Sequence, residues 1–90
     1  MKIQETNVDN AAAVALSALG WTLADGARAE RLLALTGLTP DDLRARIGDA
    51  AVLAETLRFL EAHEPDLLAC AADLDMDADA LVEARRALER

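Results

Sequence analysis

The stretch Leu32–Leu43, LLALTGLTPDDL, constrains this chain more than any other, because it spells a helix end, a sharp corner and a helix start in twelve residues. Gly37 stands where a left-handed C-cap is needed, a backbone conformation that glycine adopts at almost no steric cost. Thr39 is a capping residue, Pro40 suits the first helical position, and Asp41 and Asp42 complement the positive end of the helix dipole. Leu38 before the cap and Leu43 four residues after it have the spacing of a hydrophobic staple. The corner therefore joins a helix over residues 26–36 to a short one over residues 40–47 ending at Gly48.

The rest of the chain is written in the same helical vocabulary. It holds 21 Ala and 16 Leu against two Ile, four Val, one Phe, one Trp and no Tyr. Ala and Leu lead the helix scale, whereas strands favour β-branched and aromatic residues. Ninety residues support one hydrophobic core, so the expectation is an all-α, single-domain orthogonal bundle of five to six short helices with helix-turn-helix-like corners.

Residues 1–7 read as a polar tail, and residues 8–90 as the helical domain. Helix one, over residues 8–24, is apolar around most of its circumference, with Ala12, Ala15, Leu16, Leu19 and Leu23 on one stripe and Val14 and Trp21 beside it. Such a helix is expected to be wrapped by the others. Its small Ser17 and Gly20 would admit a crossing helix. Asp25 caps helix two, whose Arg28 and Arg31 are expected to face water. Asp49 caps helix four, over residues 50–63, with core residues Leu53, Leu57 and Leu60 and a Glu55–Arg58 pair on the wet side. Pro65 opens helix five, to residue 74, and Asp77 caps helix six, over residues 78–89. Met76, Asp77 and Leu81 repeat Leu38, Thr39 and Leu43 at an offset of 38 residues, with Asp75 in place of Gly37 and Ala78 in place of Pro40.

Charge and composition narrow the function classes. The formal net charge is −8; residues 59–90 carry three basic and nine acidic groups, and no Lys or Arg lies between Phe59 and Ala84. Such a surface repels phosphate backbones and anionic lipid and attracts a basic partner. One cysteine excludes an internal disulfide and suits a reducing compartment. No signal peptide is visible, and no uncharged run is long enough to span a bilayer. A cytoplasmic protein is expected.

Chemistry-bearing patterns are few. The corner resembles the turn of a DNA-reading helix-turn-helix, but the would-be recognition helix opens on Asp41 and Asp42. Asp73, Asp75, Asp77 and Asp79 alternate as in a calcium loop, yet the glycine and the closing glutamate are replaced by Ala78 and Ala84. One His and one Cys do not make a zinc site. His63 reads as a residue at the end of helix four favouring the dipole, and Cys70, between Leu67 and Leu74, as inert packing. Trp21 reads as core. There is no phosphate-binding loop, dinucleotide glycine signature or nucleophile elbow. No catalytic, cofactor or metal residue is assigned.

Taken in order, LSALGWTLAD (residues 16–25), LLALTGLTPDDLR (32–44), LRFLEAHEPDLLACA (57–71) and the closing ARRAL resemble an uncharacterised bacterial family, the domain of unknown function catalogued as three-five-seven-two. The resemblance covers about residues 8–89, and its specific parts are the Gly20–Trp21 pair, the corner, and the segment from Phe59 to Leu68. Arg58 and His63 depart from it, where more apolar or acidic residues are expected. It implies a small stand-alone helical protein and brings no catalytic residues.

The resulting expectation is a non-enzymatic, acidic protein-interaction or regulatory module with a protein partner, a basic one by charge. His63, Glu64, Asp66, Asp73 and Asp79 are its candidate interaction surface, and Gly37, Leu38, Thr39, Pro40 and Leu43 its structural corner. The alternative is a helix-turn-helix module associated with DNA. An Ala/Leu-rich chain can also present an apolar stripe to a second copy, so a homo-oligomer is a further expected form.

Overall fold

Capping signals and helix-forming residues set six helices in the computed structural model, which describes residues 8–90: α1 (Val8–Leu23), α2 (Gly26–Thr36), α3 (Pro40–Ala45), α4 (Ala50–Glu61), α5 (Glu64–Asp73) and α6 (Ala78–Leu88). The polar tail assigned to residues 1–7 lies outside the described residues. Asp25 accepts a hydrogen bond from the Arg28 backbone N–H, and Asp49 from that of Ala51, so both satisfy helix-start donors as expected. Asp77 occupies the cap position of α6 without making a side-chain cap bond.

The corner is built as its residues prescribe. Gly37 has φ 75° and its N–H donates to the Leu33 carbonyl at 2.8 Å, a left-handed cap closed by one bond. Thr39 and Asp42 form a reciprocal capping box: the Thr39 hydroxyl accepts from the Asp42 N–H at 3.0 Å, and the Asp42 carboxylate from the Thr39 N–H at 3.2 Å. Leu43 is buried, and Leu38 packs against the core. α3 ends two residues earlier than its pattern suggests, at a cap on Arg46 ahead of Gly48.

α1 and α4 share the centre of the molecule, each packing against four other helices, and α4 is the more deeply buried of the two. Val52, Leu53, Ala54, Thr56, Leu57, Phe59 and Leu60 of α4 are all buried, and the helix packs against α1, α2, α5 and α6. α1 buries Ala11, Ala15, Ala18, Leu19 and Thr22, but Leu16 and Leu23 are 40% and 38% exposed. α1 is packed on by α2, α4, α5 and α6 as expected, but on one side only, so its full enclosure is corrected. Its buried positions include the small Ala11, Ala15 and Ala18, α6 buries Ala84 and Ala87, and α1 and α6 form the most extensive helix pair of the fold. Ser17 and Gly20 face solvent, and a Cβ at Gly20 would meet nothing within 4 Å, so neither admits a crossing helix.

The two hydroxyls in the core cost little because each bonds to its own helix. Thr22 donates to the Ala18 carbonyl at 2.9 Å and Thr56 to that of Val52 at 3.1 Å. Among the described residues no buried side-chain nitrogen or oxygen lacks a hydrogen-bond partner.

Candidate functional site

Three surface features organise the charged and apolar groups left over from the core. The first is an ion cluster on Asp66. α5 begins beside Arg28 and Arg31 of α2, and its first turn places the Asp66 carboxylate, 8% exposed for the whole residue, against them. Arg31 Nη2 and His63 Nδ1 each lie 3.0 Å from Asp66 Oδ2, and Arg28 Nε lies 3.5 Å from Oδ1. Burial pushes the Asp66 carboxyl up, but the Arg31 hydrogen bond and the positive field of His63 and Arg31 outweigh it and hold it below its ordinary range. Arg28 stacks 3.8 Å from the Trp21 ring centroid, Arg31 sits 5.6 Å from that of Phe59, and Trp21 Nε1 donates to Asp73 at 2.6 Å. These contacts chain α1, α2, α4 and α5 together.

This cluster corrects several sequence readings. Arg28 and Arg31 do not simply face water; each is tied to a carboxylate more than thirty residues along the chain. His63 is the N-cap residue of α5 rather than the last residue of α4, which ends at Glu61. Trp21 is half-buried and hydrogen-bonded at the surface, so it bridges rather than fills the core. The five residues grouped as an interaction surface are drawn into different contacts. His63 and Asp66 meet each other, Asp73 is engaged by Trp21, and Glu64 and Asp79 are exposed without a side-chain partner among the described residues.

The second feature ties α4 to the C-terminus. Arg85 Nε bonds Glu61 at 2.6 Å and its Nη1 bonds Glu89 at 2.7 Å, while Arg58 Nε reaches Glu89 at 2.5 Å. Arg58 thus pairs with α6 and not with Glu55, because Glu89 arrives beside it once the helices pack. The Arg58 hydrogen bond, opposed by burial and joined by that of Arg85, lowers the Glu89 carboxyl; the bonds Arg85 donates to Glu61 and Glu89 raise its guanidinium.

The third feature is an apolar cleft of about 260 Å³ where the end of α1 meets α2 and α3. Leu23, Ala29, Leu33, Pro40, Leu43 and Ile47 wall it, and Arg44 stands at its edge. Leu23 and Ile47 are 38% and 43% exposed at its lip. Of the corner residues, Pro40 and Leu43 enter this wall, Leu38 faces the other side of the corner, and Gly37 and Thr39 shape the backbone between. Periodicity could not reveal the cleft, since it needs three helices in register.

The two cations after the corner are both occupied, Arg44 by Asp41 at 2.7 Å and Arg46 by Asp49 at 3.1 Å, and α3 has only six residues to offer a DNA groove. No group of three or more His, Cys, Asp or Glu side chains among the described residues could hold a metal ion. Cys70 is fully buried, and burial first, then Asp73, pushes its thiol up to about 11 against a smaller pull from Arg28. No described helix is long and apolar enough to cross a membrane.

A search of curated proteins and one of solved structures found no match. A family model described as "Protein of unknown function (DUF3572)" matches residues 8–90, the whole helical bundle including the corner. The chain belongs to the DUF3572 family.

Proposed function

We propose that this chain is a non-enzymatic protein-interaction module, and that its α1–α2–α3 cleft receives the apolar face of an amphipathic helix from a basic partner. The observation that carries the reading is the cleft, an apolar hollow with two large aliphatic side chains, Leu23 and Ile47, left partly in water on its lip. Covering apolar surface is favourable by about 25 cal/mol per Å², and a helix laid into a groove is a common way of covering it. The sign of the partner comes from the charge of −8, whose field draws a cationic protein in and repels a second copy. The absence of a reactive thiol or clustered acids in the cleft wall favours binding over catalysis.

The test uses a fluorescent Lys/Leu amphipathic peptide as the probe and its Glu/Leu counterpart as control. The Lys/Leu peptide should bind saturably, and Ile47→Asp should weaken it by roughly tenfold or more while leaving the helical circular dichroism intact. Equal binding to wild type and Ile47→Asp, or equal binding of the two peptides, overturns the reading.

A further inference from the structure

Between α1 and α2 the chain turns on Ala24 and Asp25, and the bond that follows, Asp25–Gly26, is the single Asp–Gly bond of a sequence that has no Asn–Gly bond. Such a bond carries its own reaction. The backbone nitrogen of the residue after an aspartate can attack the side-chain carboxyl carbon and close a five-membered ring, and a side chain on that residue obstructs the approach. Glycine has none. Gly26 is exposed, a Cβ placed on it meets nothing within 4 Å, and as the first residue of α2 its N–H stands outside the helical hydrogen bonding. The other aspartates are followed by Asn, Asp, Leu, Ala or Met, every one with a Cβ.

The fold holds Asp25 in an unreactive arrangement. Its Oδ1 accepts from the Arg28 N–H at 3.0 Å, and its carbonyl accepts from the Ala29 N–H at 2.9 Å. With φ −114° and ψ 120° its backbone is extended, which sets the Gly26 nitrogen well apart from Cβ about the Cα–C bond. Ring closure must eclipse the two, so ψ has to turn, and the Ala29 bond and the cap are given up together. That loss is local. Asp25 is half-buried, Gly26 and Ala27 are exposed, and the first turn of a helix opens without global unfolding.

We propose that Asp25–Gly26 is a site of spontaneous isoaspartate formation, latched by the α2 cap and reactive when the first turn of α2 opens. The Gly26 nitrogen bonds to Asp25 Cγ and gives up its proton, and one carboxyl oxygen leaves as water. The cyclic imide then takes up one water, so the net reaction neither gains nor loses atoms. Opening at the side-chain carbonyl returns aspartate. Opening at the main-chain carbonyl leaves the chain running through Cγ, with one methylene added to the backbone and the free carboxylate carried directly on Cα. That carboxylate no longer reaches the Arg28 N–H, so α2 loses its cap. Leu23 and Ala29, on either side of the joint, are walls of the apolar cleft, and the change therefore disturbs its shape. Nothing in this chemistry depends on what the cleft binds.

The experiment incubates the full chain at physiological temperature and neutral pH, in buffer and in urea, and measures isoaspartate at each aspartate by peptide mapping. Isoaspartate should accumulate at residue 25 ahead of every other aspartate. It should form roughly 5- to 30-fold faster in urea than in buffer, the factor to which the loss of one helix cap corresponds. Gly26→Ala should suppress it in both conditions, because a Cβ hinders the attack while the fold has room for it. Asp25→Ser keeps a capping oxygen but has no carboxyl carbon, and should give none. In the isomerised fraction the Arg28 amide should exchange with solvent faster than in the fresh chain. Isoaspartate no more frequent at residue 25 than elsewhere overturns the site, as does undiminished accumulation in Gly26→Ala. Equal rates in buffer and in urea overturn the latch.

Discussion

Asp75 stands at φ 59° and Gly37 at φ 75°, so an aspartate holds in the second corner the left-handed conformation that a glycine holds in the first. The surrounding bonds differ in detail. At the second corner Met76 N–H donates to the Ala71 carbonyl and Asp75 N–H to that of Ala72, the paired bonds of a Schellman motif. At the first, one bond from Gly37 to Leu33 does the same work.

The two corners should consequently respond in opposite ways to substitution. Asp75→Gly relieves a conformation that costs a residue with a Cβ about 1–2 kcal/mol, and should raise stability by up to about 1 kcal/mol once the looser unfolded chain is counted. Gly37→Ala should lower it by about 1 kcal/mol, through the backbone alone, because a Cβ there meets nothing within 4 Å. Urea denaturation of both variants checks this; a stabilised Gly37→Ala contradicts the assignment of the cap.

Burial along α1 and α4 makes a second contrast. Leu57 is fully buried, so Leu57→Ala should cost about 2–5 kcal/mol, by lost transfer energy and the cavity left behind. Leu16 is 40% exposed, and Leu16→Ala should cost under about 1 kcal/mol. Comparable losses at the two positions would contradict the deeper burial of α4.

Acid stability follows from the carboxylates held low. Asp66 is lowered by Arg31 and His63 against its burial, Asp49 by the Ala51 N–H and Arg46, and Glu89 by Arg58 and Arg85. A carboxyl depressed in the folded state contributes stability that is fully present above its unfolded pKa and is lost as pH falls through its folded value. The chain should be insensitive to pH between about 6 and 8 as far as these groups are concerned, and should lose stability progressively below about pH 4. Asp66→Asn should flatten that loss and, by leaving Arg28 and Arg31 without their shared carboxylate, cost about 1–3 kcal/mol at pH 7. Thermal melts across the acid range of wild type and variant separate the two effects; an unchanged profile in Asp66→Asn would show that the cluster carries no weight.

Cys70 should behave as a buried thiol. Its thiol sits at about 11 against an ordinary value near 9.0, so at pH 8 about a hundredfold less of it is thiolate, and no path leads reagents to it in the folded chain. Modification by a thiol reagent should be slow in buffer and fast in denaturant. Rapid modification of the native chain would place Cys70 at an accessible surface.

Local grammar made the fold legible, and long-range pairing set the limit. Gly37, Thr39, Pro40, Asp25 and Asp49 act within four residues of themselves, so their roles could be read from neighbours in the chain. Arg28, Arg31 and Arg58 reach Asp66 and Glu89, which lie 31 to 38 residues away, whereas their sequence context offered only water to Arg28 and Arg31 and the nearby Glu55 to Arg58. The α1 stripe misled because alanine and leucine score alike as apolar, whereas packing distinguished them: Ala11, Ala15 and Ala18 were buried, and Leu16 and Leu23 were left partly outside. The candidate cleft combined the two situations. Pro40 and Leu43 were already marked by the corner, but Leu23 and Ile47 join them only when α1 and α3 meet over α2.

The claim at the centre of the account is that the corner supports a binding cleft, and methyl NMR of the Leu and Ile side chains addresses it most directly. On addition of the Lys/Leu helical peptide, the methyls of Leu23, Leu33, Leu43 and Ile47 should shift together and saturate with one affinity, while those of the buried Leu53, Leu57 and Leu81 stay in place. Methyl shifts that leave these four untouched, or that spread through the core as the bundle loosens, would contradict it.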